Sequence, residues 1–567
     1  APSGSTEFPF PGVARSMTQP RRRLFGPFAI AMALSLLLGF GFARALSATD
    51  DLRANLDLFS QVLYTVQNNY VEKPDNEKLI RGAIDGMLKT LDPHTQFLPK
   101  QRAAAMDEQF RANYSGIGVQ FDIVDNKIVV LSPIENTPAY RLGIRAGDKI
   151  VQVDGKPLKK GLVNEDVFKL LKGPTGSLVE VDIERPGVDE LVHFQIERAT
   201  IPIESIPYTY MIDPAHGIGY VRIVRFAATT GEELDKSIAT LRAQGMKRLL
   251  IDLRSNSGGL LNQAVDVLDQ LVPADQKLVY TRGRIQSSNA DYYAQVRDDK
   301  FLDGSIVVLV DHGSASASEI VSGALQDLDR GLVVGINTFG KGLVQNQINL
   351  NEGKLLLTVA RYYTPSGRGI QRDYTKFEDN ADYQADAFKE EVPTDSALAT
   401  RPKFTTASGR TVYGGGGIYP DVIVHNSDKL TQPEIDMITK RAFFDFANAR
   451  VQGTKWTPAM LSRAQFKLDE AGWQSLREAI AAKGVKMNDS TWTAEKPFVL
   501  HQLRTEMAAQ TLGSLERYRI AVEDDTQLAE ALKLFPKADA LVAGMARPKS
   551  SAKPAPNTAV KPRATQR

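Results

Sequence analysis

The stretch "SIVVLVDHGSASASEIVSGALQDLDRGLVVGINTFGKG", residues 305–342, sets the architecture of the middle of this chain. An apolar run, a segment with helical spacing and a second apolar run follow one another, and each apolar run ends in a polar loop. This order predicts a strand–helix–strand unit with parallel strands. Because the loops after parallel strands leave the same edge of a sheet, the serines of 314–318 and Lys341 are predicted to lie side by side.

The same alternation continues on both sides of this unit. Upstream, "GIGYVRIVRF" and "KRLLIDLR" indicate two more strands, and "TTGEELDKSIATLRAQG" indicates a helix with a capping box of Thr230 and Glu233. A further helix is predicted to begin at Leu261. Alternating strands and helices over residues 201–427 predict an α/β domain built around a largely parallel sheet.

The flanking regions have different patterns. Residues 49–113 show helical spacing, but a few short helices make a poor core, so they are expected to pack on the main body or on another subunit. Residues 114–200 indicate short strands, turns and one helix, which is the size of one small domain. Residues 428–540 are helical again, and residues 541–567 are predicted to be a disordered basic tail. The chain is therefore predicted to be a multidomain α/β protein with helical N- and C-terminal regions.

The first part of the sequence, residues 1–48, has the layout of a leader. Met17 opens a basic stretch, an apolar run follows over residues 24–42, and small residues come next. This order is typical of an export signal. We predict an exported, periplasmic protein, whose signal is either cleaved after Ala45 or Ala48 or retained as an anchor in the inner membrane.

The composition excludes several classes of function. The 567 residues include no cysteine, which excludes disulfides, thiolate metal sites and cysteine nucleophiles. The net charge of +2 gives no global field that would favour nucleic acid. None of the six histidines belongs to a metal-binding pattern. We therefore predict no nucleic-acid partner, no metal and no cofactor.

One segment resembles a nucleotide-binding loop. In "GINTFGKG", residues 335–342, Gly335, Gly340 and Lys341 fit the P-loop pattern. Such a loop needs Ser or Thr after its lysine and then a helix, whereas here Gly342 follows and the next segment indicates strands. Nucleotide binding is therefore disfavoured.

A serine and a lysine at one sheet edge suggest a nucleophilic pair. The hydroxyl of Ser316 needs a base to take its proton, and Lys341 can serve only if its amine is neutral. Burial lowers the pKa of a lysine, because desolvation disfavours the ammonium ion. Gln345, four residues further on, can orient the amine without charging it. The predicted apolar walls around the amine are Phe339, Leu343 and Val344.

Backbone amides near this pair can stabilise a developing oxyanion. Ser316 stands where a helix begins, so the N–H of Ala317 can point at the substrate carbonyl. A second donor is expected from "LRSNSGGLL", where Gly258 and Gly259 allow a close approach of the backbone.

His312 and Asp327 offer an alternative Ser–His–Asp arrangement. His312 lies four residues before Ser316 and would need a contorted turn to reach its hydroxyl. Asp327 lies 11 residues beyond Ser316 on one predicted helix, which is about 16 Å at about 1.5 Å per residue. We expect Asp327 to brace the fold and His312 not to act as the base.

At this point the chain resembles the carboxy-terminal processing proteases, the tail-specific serine peptidases of the S41 type. The matching segments run in order over residues 50–425 and include "GIGVQF", "LIDLRSNSGGLL", "GSASASEIVSGALQD", "GINTFGKGLVQ" and "YYTPSGRGIQ". The resemblance implies Ser316 as nucleophile, Lys341 as general base and Gln345 as the partner that orients the lysine. It also implies an oxyanion hole formed by the backbone of Gly258 and Ala317.

The resemblance further implies a PDZ domain at residues 114–200 and a crotonase-like protease core at residues 201–427. A PDZ domain adds a peptide as an extra strand and binds its terminal carboxylate through loop N–H groups. Substrates would then be proteins with apolar C-termini, and a homo-oligomer is expected. Lys172 stands where the family carries an arginine that couples this domain to the active site, and a lysine lacks the bidentate contact. The implied peptide-binding residues are Gly116, Ile117, Gly118 and Val119.

Two functional hypotheses follow. The first is an exported serine endopeptidase with a Ser–Lys dyad. The second is a non-catalytic PDZ scaffold that binds protein C-termini. An inactive Ser316 variant distinguishes them, because only the first hypothesis requires the hydroxyl.

Overall fold

The computed structural model describes residues 51–298, 300–377, 380–389, 393, 395–425 and 430–544. The predicted leader, residues 1–48, and the predicted tail beyond residue 544 lie outside the described residues. Among the described helices, none combines the length and apolar character needed to cross a membrane. The chain divides into two compact units, Ala1–Met87 and Leu88–Arg567.

In the first unit, helix α1 covers residues 51–69 and helix α2 (Asn76–Lys89) runs across the unit boundary. Gln67 Nε2 donates a hydrogen bond to Asn76 Oδ1 over 3.0 Å, which ties the two helices together. Most apolar side chains of α1 are exposed.

The second unit begins with strand β1 (Gln96–Pro99) and helix α3 (Lys100–Arg111), followed by a small α/β domain. The first and last strands of this domain, β2 and β9, pair antiparallel, so the domain is closed where the chain enters and leaves it. Its main sheet joins β3, β4, β5, β7 and β8, and β6 pairs with β5. The elements are β2 (Asn113–Gly116), β3 (Val119–Val124), β4 (Lys127–Pro133), α4 (Pro138–Arg141), β5 (Lys149–Val153), β6 (Lys156–Pro157), α5 (Asn164–Leu171), β7 (Leu178–Glu184), β8 (Val192–Glu197) and β9 (Ala199–Pro202).

A six-stranded sheet in the order β10-β11-β12-β15-β16-β21 forms the centre of the second unit. Only β10 is antiparallel to its neighbour. All six residues of β15 are buried, as expected for a strand covered on both faces. The elements are β10 (Tyr208–Asp213), β11 (Ile218–Arg222), α6 (Thr230–Ala243), β12 (Arg248–Asp252), α7 (Leu261–Leu271), β13 (Lys277–Gly283), β14 (Ala290–Tyr293), β15 (Ser305–Val310), α8 (Ala317–Asp327) and β16 (Leu332–Gly335).

A second sheet covers one side of the site described below. Its order is β1-β18-β13-β14, and β17 pairs with β18 as a hairpin. The strands after the lysine loop confirm the prediction that no helix follows Lys341. The remaining elements before the C-terminal region are β17 (Leu343–Leu350), β18 (Gly353–Tyr363), α9 (Asn380–Ala387), α10 (Asp395–Thr400), β19 (Lys403–Thr405), β20 (Thr411–Tyr413) and β21 (Val422–Ile423).

Seven helices form the described part of the C-terminal region, residues 430–544; the first five share a hydrophobic core, and the last two pack on the central sheet. This confirms the predicted multidomain α/β fold class with helical N- and C-terminal regions. The helices are α11 (Gln432–Thr439), α12 (Phe444–Val451), α13 (Glu470–Ala482), α14 (Asp489–Thr511), α15 (Gly513–Ala521), α16 (Thr526–Lys533) and α17 (Phe535–Gly544).

A buried ionic group, here called the Arg254 cluster, joins this helical region to the central sheet. Asp252 ends β12 and is fully buried, and its Oδ2 lies 2.6 Å from Arg254 Nη2 and 2.9 Å from Arg222 Nη1. Arg254 Nη2 also lies 2.6 Å from Asp525 Oδ2, between α15 and α16. Arg254 Nη1 donates to Gln527 Oε1 over 3.1 Å. The cluster consists of Arg222, Asp252, Arg254, Asp525 and Gln527.

Three details differ from the predictions. Thr229, not Thr230, stands at the N-cap position of helix α6 and makes no side-chain cap bond; its hydroxyl donates to Glu233, and Thr230 Oγ1 donates to the carbonyl of Ala227. The N-terminal region contains a strand, β1, because its residues pair with β18. The last helix extends to Gly544, past the predicted start of the tail at residue 541.

Candidate active site

The predicted site residues meet at the carboxyl edge of the six-stranded sheet. A cavity of about 490 Å³ lies there, between the loops after β12, β15 and β16 and the hairpin of β17 and β18. Gly258, Ser316, Lys341 and Gln345 all line it. The sequence separates these residues widely, and the parallel topology brings them together as predicted.

Ser316 is the N-cap of helix α8 and has an unusual backbone. Its φ of 55° lies in the left-handed region, where a non-glycine residue costs about 1–3 kcal/mol. The strain turns the chain sharply between β15 and α8. The side chain is half-buried and lines the cavity.

Lys341 has a neutral partner. Its Nζ donates to Gln345 Oε1 over 2.8 Å, and Gln345 Nε2 donates to the carbonyl of His94 over 2.6 Å. Because the carbonyl of His94 can only accept, it fixes which end of the amide faces the lysine. Burial lowers the pKa of Lys341, and the charges of Glu319 and Asp92 oppose this shift only in part.

The apolar walls differ somewhat from the prediction. Leu343 and Val344 line the cavity beside the amine. Phe339 is buried but packs edge-to-face on His94 and Tyr383, with ring centroids 6.2 and 5.9 Å away, and it does not line the cavity. Two of the three predicted wall residues therefore line the cavity, and the third does not.

Glu319 connects the serine loop to the lysine loop, and the sequence reasoning missed it. The carboxylate is fully buried and accepts hydrogen bonds from the amides of Ser316, Gly340 and Lys341 at 2.8, 2.7 and 2.9 Å. The hydroxyl of Thr338 donates a fourth bond over 2.6 Å. Burial raises the pKa of Glu319, and these donors oppose that shift. The spacing of Ser316 and Glu319 is that of a capping box, a signal the sequence does contain.

Tyr362, at the end of β18, connects the same two loops from the other side. Its hydroxyl lies 2.7 Å from the carbonyl of Lys341 and 3.1 Å from that of Ser316. The ring is buried and lines the cavity. The serine and lysine loops are therefore held by both a carboxylate and a phenol.

Asn256 organises the glycine loop after β12. Its Oδ1 accepts from Gly258 N–H over 2.9 Å, and its carbonyl accepts from the amide of Ala315 over 3.0 Å and the hydroxyl of Ser318 over 2.8 Å. The amide of Gly258 is thus engaged, whereas those of Gly259 and Ala317 make no hydrogen bond with described residues. A Cβ on Gly258 would lie 2.8 Å from Ser316 Cβ, so only glycine fits there.

The turn that contains His94 was not foreseen as part of the site. Asp92 Oδ1 accepts from the amides of His94 and Thr95 over 2.8 and 2.9 Å, which holds the turn. Burial, with a smaller effect of Lys341, lowers the pKa of His94 to about 4. The imidazole is therefore neutral near pH 7 and adds no positive charge beside the amine.

The other predicted residues lie away from the cavity. His312 does not line it, and Asp327 is buried in an ion pair of 2.8 Å with Arg368, as expected for a structural role. Gly116, Ile117, Gly118 and Val119 are buried in the small domain. The carbonyls of Ile117 and Gly118 accept bonds from Ala139 and Ile134, while the two amides donate none to described residues.

Lys172 contacts the helix before the small domain. Its Nζ pairs with Glu108 on α3 and lies 4.9 Å from the ring centre of Tyr114 and 5.0 Å from that of Phe168. The lysine therefore binds a single carboxylate and two aromatic faces.

Known proteins resemble this chain in three regions. Residues 217–378 match peptidase family S41, residues 129–185 match the PDZ domain, and residues 43–102 match the N-terminal domain of the activating protease CtpB. A carboxy-terminal-processing protease of Bartonella bacilliformis is 37% identical over 358 residues, which cover 62% of this chain and 80% of that protein. The carboxy-terminal processing protease CtpB of Bacillus subtilis is 34% identical over 322 residues, 56% of this chain and 66% of that protein.

A solved structure, the photosystem II D1 C-terminal processing protease, aligns with 65% of this chain and 92% of its own. Its sequence identity is 30% and the TM-score is 0.32. The family assignment therefore depends on the sequence relatives.

Proposed function

Because the chain belongs to peptidase family S41, among the carboxy-terminal processing proteases with a PDZ domain, we propose that it cleaves protein tails with a Ser316–Lys341 dyad. One observation carries this proposal. The amine of Lys341 lies in the same cavity as Ser316, and its single hydrogen bond among the described residues goes to a neutral amide. A lysine in that setting loses its proton more easily than one in water.

The proposed reaction has two halves. Neutral Lys341 Nζ takes the proton of Ser316 Oγ as the oxygen attacks the substrate carbonyl carbon. The resulting ammonium then protonates the departing amine when the peptide bond breaks, which leaves an acyl group on Ser316. In the second half Lys341 takes a proton from water, the hydroxide attacks the acyl carbon, and the proton returns to Ser316 Oγ.

The proposed oxyanion hole uses the amides of Ala317 and Gly258. The free amide of Ala317 supports the first assignment. The amide of Gly258 now donates to Asn256, so it has to exchange that partner for the oxyanion. Gly259, whose amide is free among the described residues, is the adjacent donor if that exchange does not occur.

We propose that the PDZ domain binds apolar C-terminal tails at the loop of Gly116, Ile117, Gly118 and Val119. The two amides without partners in this loop, those of Ile117 and Gly118, support binding of a terminal carboxylate. Tail binding at this domain would bring the upstream part of the substrate to Ser316.

The test compares the wild-type protein with Ser316→Ala on a folded substrate that ends in an apolar tail. We expect the wild type to shorten the substrate and the variant to leave it intact, as read by mass spectrometry of the products. Equal processing by both proteins would contradict the enzyme, and binding without processing by either would favour the PDZ scaffold. Loss of ATP binding in Lys341→Ala would instead support the P-loop hypothesis.

We also propose an exported, periplasmic protein that is either processed or anchored in the inner membrane through residues 24–42. The basic stretch, the apolar run and the small residues that follow support this. Fractionation of cells, with mass spectrometry of the mature N-terminus, tests it. A full-length N-terminus in the cytoplasm would contradict export.

We propose a homo-oligomer as well. Helix α1 exposes the apolar side chains of Leu52, Leu56, Phe59 and Val62, each between 44% and 61%. Sedimentation of the wild-type protein and of a variant with Leu56→Glu and Phe59→Glu tests this. A monomeric wild type would contradict the proposal.

A further inference from the structure

Arg225 carries the second cationic group of the cavity, and neither the dyad nor the oxyanion hole uses it. It lies between β11 and α6 and lines the same cavity as Ser316. Its neighbour Phe226 donates its N–H to the carbonyl of Gly258 over 3.0 Å and accepts from the amide of Leu260 over 2.8 Å. The segment of Arg225 is therefore fixed directly beside the glycine loop.

The guanidinium of Arg225 has no partner in the part of the chain that the structure describes. Its side chain makes no hydrogen bond and no ion pair there, and its Nε is buried without an acceptor. Burial lowers the pKa of this arginine. An arginine remains protonated under all ordinary conditions, so the cavity holds a fixed positive charge that has no ion pair among the described residues.

The surrounding charges give the guanidinium no anionic partner inside the cavity. No aspartate or glutamate is among the described residues that line it. The nearby Glu233 is occupied, since its Oε2 accepts from the amides of Ser205 and Ile206 and its Oε1 accepts from the hydroxyl of Thr229. A half-buried arginine without a carboxylate is costly unless a ligand supplies one.

We propose that Arg225 binds a carboxylate of the substrate next to the bond that is cleaved. This inference rests on the proposed function and adds a specificity-determining residue to it. The carboxylate belongs either to an aspartate or glutamate side chain or to the terminal residue of a short tail. Both present the planar pair of oxygens that a guanidinium binds in bidentate fashion.

The experiment uses the full-length protein and four matched peptides for each substituted position. The peptides first carry an apolar tail with a site that wild type cleaves, mapped by mass spectrometry. A glutamate or a glutamine then replaces each residue within four positions of that bond, and each peptide is made with a free or an amidated C-terminus. The rate constant kcat/KM is measured for wild type, Arg225→Gln, Arg225→Lys and the exposed-arginine control Arg284→Gln.

We expect wild type to prefer the carboxylate form by about tenfold or more at one position, and Arg225→Gln to abolish that preference. Arg225→Lys should retain part of it, because the charge remains without the bidentate geometry. For the peptide that has both glutamine and an amidated C-terminus, kcat/KM of the two Arg225 variants should differ from that of wild type by less than twofold. If Arg225→Gln loses the preference for glutamate over glutamine, the bound carboxylate belongs to a side chain. If it loses the preference for a free over an amidated C-terminus, the bound group is the α-carboxylate.

Two other results overturn the proposal, and they are distinguishable. If wild type cleaves the peptides and Ser316→Ala does not, but Arg225→Gln keeps the preference, only the role of Arg225 is refuted. If neither the wild type nor Arg225→Gln cleaves any peptide, the proposed function fails as well. A lower melting temperature of Arg225→Gln with an unchanged preference would show that the arginine only stabilises the fold.

Discussion

The loop after β12 and the loops after β15 and β16 lie at the same edge of one sheet, yet they hold buried charge in opposite ways. In the Arg254 cluster, Asp252 is surrounded by two guanidinium groups, and Asp525 from the helical region adds a second carboxylate. Around Lys341, the direct hydrogen-bond partner is a neutral amide. The first arrangement keeps each group charged, and the second favours the uncharged amine.

The shifts in pKa have opposite directions for this reason. Burial works against ionisation of Asp252, but Arg254 and Arg222 lower its pKa to about 2. Burial also works against the charge of Arg254, yet the two carboxylates raise its pKa. For Lys341 burial prevails and the pKa falls. The Arg254 cluster therefore holds paired charges, whereas Lys341 has no carboxylate partner, which is the setting that the proposed proton transfer requires.

The largest effect is expected from removal of the amine. Lys341→Met should lower kcat/KM roughly 10²- to 10⁴-fold, because Ser316 loses its base. The melting temperature should not fall, since no ion pair is lost. The exposed Lys486→Met serves as the control and should keep full activity. An active Lys341→Met protein would contradict the proposed role of the amine and, with it, the contrast between the surroundings of Lys341 and the Arg254 cluster.

The Arg254 cluster should respond in the reverse manner. Asp252→Asn removes the carboxylate that Arg222 and Arg254 share and leaves Arg254 with Asp525 alone, which should lower the free energy of unfolding by about 3–5 kcal/mol. Denaturant unfolding measures this. Asp291→Asn, which removes a solvent-exposed pair with Arg282, should cost far less. Equal losses in the two variants would contradict the account.

Asp252 also predicts a pH dependence of the free energy of unfolding. Its pKa is lowered from 3.8 to about 2 on folding, so its contribution is complete above pH 3.8 and is lost as the pH falls through about 2. This contribution to the free energy of unfolding is about 2 kcal/mol. Asp252→Asn should not show the corresponding loss of stability between pH 3.8 and about 2.

A carboxylate next to Lys341 should give its amine a charged partner of the kind found in the Arg254 cluster. Gln345→Glu places a negative charge beside Nζ, which should raise the pKa of Lys341. The acid limb of the pH profile of kcat/KM then moves to higher pH, and activity recovers in alkaline solution. Gln347→Glu adds the same charge to the cavity without touching the amine, and its shift should be smaller.

The smallest shift of the acid limb is expected from Glu319→Gln, which removes a negative charge near the amine. No hydrogen bond joins this carboxylate to the amine among the described residues, but its charge raises the pKa of Lys341. Glu319→Gln should therefore move the acid limb to lower pH, in addition to lowering kcat by loosening the two loops. Glu232→Gln on the exposed face of α6 should leave the limb in place. An unmoved limb in Glu319→Gln would mean that Glu319 acts through structure alone.

The sequence predicted the parts of this site that topology controls. Parallel strands with loops at one edge brought Ser316 to Lys341, and the four-residue spacing brought Gln345 to the amine. The residues that depend on long-range packing were not foreseen. His94 reaches Gln345 from 251 positions away, through a strand pairing that no local pattern indicates.

Other misses have a different cause. Glu319 was visible as a capping-box residue, but its bonds to Gly340 and Lys341 cross between loops and follow only from the folded arrangement. Thr230 was a plausible cap by type, but the helix begins at Thr230 itself, one residue earlier than its pattern indicated, and Thr229 stands at the N-cap position.

The most direct test of the central claim is the pKa of Lys341 itself. In Ser316→Ala protein labelled at the lysine side chains, NMR can follow the titration of this one amine, assigned by comparison with Lys341→Met. We predict a midpoint below 10.5 that coincides with the acid limb of kcat/KM of the wild type. An amine that stays protonated up to pH 10.5, while the wild type is fully active at lower pH, would contradict the account.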